Sequence, residues 1–261
     1  MIHFIYSIPN LFLFLLIFLF MSVISIFCLY IIRKYVPLKL RYKENESIEY
    51  VGATIGVVYA VLAGFIILYV MNNFEKASDT ASREATGIAT LFRDADSIPE
   101  PLRSQIQNDM NLYANTVIKV EWPNMSTDQN SYEGEQILDQ LHDKVTQFKP
   151  SNEQEILAVQ TLLENFDILY SDRSQRFDVS KTALNGDLWI LLLISTFLTL
   201  FINCLIGMEF RLHLALQIVV TLMVSAIFFL IIVLDRPFLG YFSIQPQAFE
   251  ASLVEMNNNI K

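Results

Sequence analysis

Apolar residues run without a single charge through 8–32, 51–71, 188–208 and 214–234, and the chain between 72 and 186 turns polar. Each apolar run exceeds the roughly 18 residues needed to cross a bilayer as a helix. In hydrocarbon every backbone N–H and C=O must be satisfied within the segment, so helices are the expected form. The first run has no basic residue ahead of it and basic residues behind it, which fits a retained span and not a cleaved leader.

The polar segment is also helical by pattern. Ala77, Ala81, Ala85, Ile88, Phe92 and Ala95 recur at three to four residues with no proline between, so the second span is expected to continue outward as one long helix. Ser97-Ile98-Pro99-Glu100-Pro101 breaks it, because proline disfavours helix in the residue before it. A return helix follows with Leu102, Ile106, Met110, Tyr113, Val117 and Val120 on one stripe, closed by Trp122 and Pro123. Ile137, Leu141, Val145 and Phe148 mark a shorter helix. Ser151 and Gln154 read as a capping box for a last helix carrying Ile156, Val159, Leu163, Phe166, Tyr170 and Phe177, which is expected to run on into the third span. The expectation is an all-α protein of four transmembrane helices, with a helical extramembrane bundle inserted between spans two and three. The divisions are 1–71 (two spans and a basic loop), 72–186 (acidic bundle), 187–240 (a transmembrane hairpin) and 241–261 (a short polar tail with Asn257, Asn258 and Asn259 frayed).

Composition sharpens this. The chain is 53% hydrophobic, with a mean hydropathy of +0.40. Residues 72–186 hold 19 acidic and 10 basic side chains, a balance equal to the net −9 of the whole chain. No clustered basic surface is present, so nucleic acid is not an expected partner. Cys28 and Cys204 lie in apolar runs and read as small buried hydrophobes; His3, His142 and His213 are scattered, so neither metal nor cofactor is expected. No nucleophile with a base and an orienting group stands out, which argues against an enzyme. The short loops carry Arg33, Lys34, Lys39, Arg41, Lys43 and Arg211, against Arg236 and Lys261 outside the insert. That bias places both termini and the bundle on the outer side of a bacterial inner (plasma) membrane, although Arg173, Arg176 and Lys181 just before the third span pull the other way.

Three features carry candidate function. On the second span Gly52, Gly56, Ala60 and Gly64 stand four apart. In lipid, where oily contact gives no reward, such a row permits close backbone approach and reads as a packing seam; beside it, Tyr59, Phe65 and Tyr69 are candidate constrictions of a pore. On the hairpin, Ser195, Thr199 and Asn203, continued by Gly207, are expected to face His213, Gln217, Thr221 and Ser225. They form either interhelical hydrogen bonds or a hydrated path. Finally, Glu121 at the negative end of its own helix needs a cation. Helix lengths bring Trp122 back toward the interface where Asp235 and Arg236 emerge, so a Glu121–Arg236 clamp is expected.

The run Gly56-Val57-Val58-Tyr59-Ala60-Val61-Leu62, then Arg83-Glu84-Ala85, Leu91, Pro99-Glu100-Pro101-Leu102-Arg103, Tyr113, Glu121-Trp122-Pro123 and Leu234-Asp235-Arg236-Pro237-Phe238-Leu239-Gly240 resembles a bacterial and plant family labelled bestrophin-like. The resemblance implies four spans and, through the label, an analogy to bestrophin anion channels, homo-oligomers whose second span lines the pore. Bestrophins keep their large helical portion in the cytosol, opposite to what the basic loop implies here. No acidic cluster here matches a bestrophin calcium clasp. The expected function is a homo-oligomeric channel or pore for inorganic ions in the lipid bilayer. The alternative is a sensor or scaffold whose bundle binds a ligand or partner without conduction.

Overall fold

The computed structural model describes residues 6–127, 129 and 131–259, and the chain forms two compact units. His3 and Lys261 lie outside the described residues.

The first unit comprises the chain up to Asn72 together with Ala183–Asp235. Its helices are α1 (Asn10–Tyr35), the short α2 (Leu38–Lys43), the beginning of α3 (Asn45–Asp94), α7 (Gly186–Leu205) and α8 (Phe210–Asp235). Pro9 and Pro37 sit directly before α1 and α2, where a missing N–H costs nothing. α1 buries Leu13, Ile17, Met21, Ser25, Leu29 and Ile32, one residue per turn, against α7 and α8. Leu11, Phe12, Leu15, Leu16, Leu19 and Phe20 on its other faces remain exposed, an arrangement that suits lipid and not water. Asn185 caps α7 by accepting from the Asp187 N–H at 3.3 Å, and the Leu184 N–H donates to Asp235 Oδ1 at 2.5 Å.

The second unit comprises Asn73–Thr182 and Arg236–Lys261. It holds the outer part of α3, then α4 (Leu102–Thr116), α5 (Glu133–Gln147), α6 (Glu153–Lys181) and α9 (Gln247–Asn259). α3 is 50 residues long, about 75 Å at 1.5 Å per residue, as its unbroken pattern predicts. Ala77, Ala81 and Ala85 give it a slim buried face, and the core around them includes Ile88, Met110, Leu141 and Phe166. Arg103 Nε donates to Ile98 O at 2.9 Å and pins the turn between α3 and α4.

Four details differ from the sequence reading. A π turn over Val117–Glu121 ends the α4 stripe and puts Glu121, not Val120, in the core. The cap of α6 is Asn152, whose Oδ1 accepts from Glu155 N at 2.9 Å while Glu155 Oε2 accepts from Ser151 N at 2.6 Å; the box is shifted one residue from Ser151 and Gln154. α6 stops at Lys181 instead of running into the third span. The tail after Gly240 is not a frayed polar end: Phe249 and Met256 are buried in the bundle core, and Ser252 Oγ donates to Ala85 O at 2.8 Å.

Candidate functional site

Candidate residues fall in both units. In the first, the small-residue row of the second span has little upon it. A Cβ at Gly52 would touch Ile202 at 3.7 Å, while Gly56 and Gly64 have nothing within 4 Å. Ala60 is exposed. The face of this span that is buried carries Tyr59, Ala63, Ile66 and Val70. Tyr59 is only 6% exposed and turned toward Thr196 of α7, so it does not share an open face with Phe65, 68% exposed, or Tyr69, 42% exposed.

The side chains of the hairpin's two polar stripes do not hydrogen-bond to each other. Gln217 Nε2 donates to Ser25 Oγ of α1 at 2.7 Å and also reaches Leu200 O at 3.3 Å, and Thr221 Oγ1, which donates to Gln217 O at 2.7 Å, lies 3.1 Å from Ser25 Oγ. Ser225 Oγ turns back to Thr221 O at 2.7 Å. On α7, Ser195, Thr199 and Asn203 bond the carbonyls of Leu192, Ser195 and Thr199, at 3.0, 2.8 and 2.7 Å. Side chains that bond their own helix one turn back are satisfied without water. Gln217 and Thr221 converge on Ser25, a residue the sequence reading passed over because one serine in an apolar run carries no pattern.

At the loop end of this unit, the chain around Arg41 and Tyr42 crosses so close to Gly207 that a Cβ there would lie 2.6 Å from Tyr42 N. Asn45 clamps Gly207 in both directions, Nδ2 to O at 2.9 Å and N to Oδ1 at 2.7 Å. Arg33 and Arg41 donate to Met208 O and Ile206 O, at 2.7 and 3.4 Å. The Asn203 carbonyl faces His213 Nε2 at 3.0 Å. Two basic residues that read from sequence as topology signals thus also cap the carboxyl end of α7.

The second unit buries a cluster of charged side chains. Glu84 from α3, Glu121 from the π turn, and Arg173 and Arg176 from α6 are all buried. Arg176 is central: Nε and Nη2 grip Glu84 at 2.6 and 3.0 Å, and Nη2 also reaches Glu121 Oε2 at 2.5 Å. Arg173 Nη2 donates to Glu121 Oε1 at 2.8 Å, and the Tyr113 hydroxyl donates to Glu84 Oε1 at 2.6 Å. The Gly134 N–H also serves Glu121 Oε1, at 3.2 Å; a Cβ on Gly134 would sit 2.3 Å from that oxygen. Phe177 lies 4.7 Å from the Arg176 guanidinium. Two carboxylates and two guanidinium groups balance, so burial is tolerable. Burial pulls the Arg176 pKa down, but Glu84 and Glu121 outweigh it and hold it above its ordinary value. Burial, reinforced by the Glu84 charge, pushes the Tyr113 hydroxyl well up.

Glu121 therefore pairs with Arg173 and Arg176, and the clamp to Arg236 does not form. The sequence reading had the demand right, a glutamate at a helix end needing a cation, and the supplier wrong. The signal was two arginines three apart on one amphipathic helix. The Glu-Trp-Pro and Arg-Pro-Phe-Leu-Gly pieces do meet, through rings: Trp122 packs edge-on against Phe238 and Phe249, with centroids 5.4 and 5.5 Å away, and its Nε1 donates to Ile244 O at 3.1 Å. Trp122 is thus a core residue and not a headgroup anchor. Gly240, at φ 85°, turns the chain in the left-handed region that glycine adopts without strain, and the Ile244 N–H closes on Pro237 O at 2.8 Å. Pro123 sits in the helical turn Trp122–Met125. Among the described residues, no group of three His, Cys, Asp or Glu is disposed to hold a metal ion.

These features define a polytopic membrane protein: four helices long and apolar enough to span, carrying a helical unit organised around buried charge. Residues 19–249 match the Bestrophin-like domain family, and the chain belongs to it. Its fold is similar to crystal structures of mutants of a bestrophin homologue from Klebsiella pneumoniae. One has a TM-score of 0.70 at 14% identity, covering 97% of this chain and 100% of the other. A second has a TM-score of 0.68 at 14% identity, covering 94% and 98%; a third, a TM-score of 0.69 at 12%, covering 95% and 98%. No curated protein matches the chain.

Proposed function

We propose that the chain is one protomer of a homo-oligomeric ion channel in which the second span packs against its copies. The observation that carries this is the uncovered row on that span: Gly56 and Gly64 have no neighbour within 4 Å and Ala60 is exposed. A row of small residues facing lipid alone would do nothing for the fold, whereas against another helix it allows close approach. Closed rotational symmetry is the usual way for identical chains to bury one such surface. Phe65 and Tyr69 are the candidate constrictions for inorganic ions. Membership in the Bestrophin-like family supports this reading.

The test pairs two measurements. Ala60→Cys is expected to cross-link between copies in the bilayer, and the purified protein in planar bilayers is expected to pass current. Absence of cross-links together with silence under every ion gradient would overturn the proposal.

The proposed sidedness has the bundle in the cytoplasm of a bacterial cell. Six basic residues flank the spans on the loop side (Arg33, Lys34, Lys39, Arg41, Lys43 and Arg211) and six on the bundle side (Lys76, Arg83, Arg173, Arg176, Lys181 and Arg236). Counted near the span ends, as the rule requires, the bias seen in the short loops vanishes. The bestrophin resemblance then supports the cytoplasmic side. Membrane-impermeant thiol reagents on intact cells should label Lys39→Cys and spare Ser151→Cys; the reverse would restore an external bundle.

A further inference from the structure

A second feature of the bundle is unused by the charge network and by the channel reading. A pocket of about 270 Å³ opens between α6 and the start of α5. It is smaller than the roughly 300–1,000 Å³ typical of sites for drug-sized molecules. Its floor is the Arg173–Phe177 stack, with the guanidinium 4.8 Å from the ring. Ser174, Asp178 and Lys181 line one wall from a single face of α6, and Glu135 lines the opposite wall.

The charges there are unspent. Neither the Asp178 carboxylate nor the Lys181 ammonium has an ion-pair partner among the described residues. Glu135 reaches Arg173 Nη1 only at 3.5 Å and keeps 41% of its side chain exposed. The Arg173 charge is already answered from behind by Glu121. Besides the Arg173 guanidinium in the floor and several hydroxyls, the cavity presents the Glu135 and Asp178 carboxylates and the Lys181 ammonium. A bare anion would meet the two carboxylates, and a bare amine would leave Lys181 unanswered. A molecule carrying both charges a few bonds apart satisfies each group.

We propose that this pocket binds a small amino acid. Its ammonium lies between Glu135 and Asp178 and its carboxylate on Lys181 and Ser174. This site stands whether or not the chain conducts, and it gives a ligand class to the sensing role open to such a bundle.

The test is calorimetric titration of the full-length protein in detergent with each proteinogenic amino acid in turn, beside sodium propionate and ethylammonium chloride. Saturable binding of one or more amino acids, with both single-charge compounds far weaker, is expected. Asp178→Asn and Lys181→Gln change exposed side chains outside the core, so both should fold, and each should weaken binding about tenfold through loss of one charge-assisted contact. The proposal fails if no amino acid binds, if propionate or ethylammonium binds as tightly, or if neither substitution alters the affinity.

Discussion

The two units bury most of their polar groups differently, although Arg41 is buried at the loop end of the first. In the transmembrane unit the buried seam is neutral: Ser25, Thr199, Gln217, Thr221 and Ser225. Most of its hydroxyls bond a carbonyl one turn back on their own helix. In the bundle, beside hydroxyls such as Thr80 and Ser252, the buried groups include a cluster of full charges, Glu84, Glu121, Arg173 and Arg176, and every ion pair within it joins different elements. The difference teaches what each surrounding permits. A charge is expensive in hydrocarbon, so spans take their specificity from amides and hydroxyls that cost little if a partner is lost. A water-exposed bundle can sequester charges when they balance, and then each group depends on the others.

That contrast can be broken most forcefully at Arg176. Arg176→Met removes the one cation shared by Glu84 and Glu121; Glu84 is left buried without a cation, and Glu121 keeps only Arg173. The expected cost is about 3–5 kcal/mol, the range for one partner lost from a buried pair. Denaturant unfolding of the full-length protein in detergent, followed by near-ultraviolet dichroism of Trp122, would measure it. A loss below about 1 kcal/mol would mean that water reaches the network, as at an exposed ion pair.

Gly134 and Tyr113 test the same network from its edges. Gly134→Ala drives a methyl into the Glu121 carboxylate and should cost about 1–3 kcal/mol as overpacking. Tyr113→Phe deletes one bond to a charged acceptor and should cost about 1.5–3 kcal/mol. Tyr113 also gives the bundle a signature at high pH. Its hydroxyl titrates well above its ordinary 10.0 in the fold because burial and Glu84 oppose the phenolate. The unfolded chain binds fewer protons once the pH exceeds about 10, so stability present below that value falls as pH climbs toward the folded pKa. Tyr113→Phe should flatten this part of the stability profile. An unchanged slope would show that other tyrosines carry it.

How much of this contrast was legible beforehand follows from the same physics. Span lengths, the long α3 and the helical insert were readable because apolar runs and three-four repeats are local signals. The charge network was not, because Glu84, Glu121 and Arg176 are 37 and 55 residues apart along the chain and interrupt their stripes instead of extending them. Glu121 was noticed only through its own helix dipole. The π turn that carries it inward has no sequence mark. Ser25 was missed for a related reason: a lone hydroxyl in a span means little until its partners on α8 are known. The helical tail was misread because its apolar residues, Phe249, Leu253 and Met256, are spread thinly among polar ones, although at helical spacing.

The smallest expected effect sharpens the comparison from the membrane side. Gln217→Leu removes the bonds to Ser25 Oγ and Leu200 O but leaves Thr221 Oγ1 within hydrogen-bond reach of Ser25 Oγ. The lost amide is replaced by an apolar side chain of similar size, no charge is stranded, and the Leu200 carbonyl remains in its helix. Interhelical hydrogen bonds in spans average about 0.6 kcal/mol, so the loss should be near that figure and several-fold below Arg176→Met. Thermal inactivation of the two variants in the same lipid nanodiscs would rank them. If Gln217→Leu proved as damaging as Arg176→Met, the seam would be more than helix glue: its amide would be needed where a hydrated path, and not a packed interface, runs between α1 and α8.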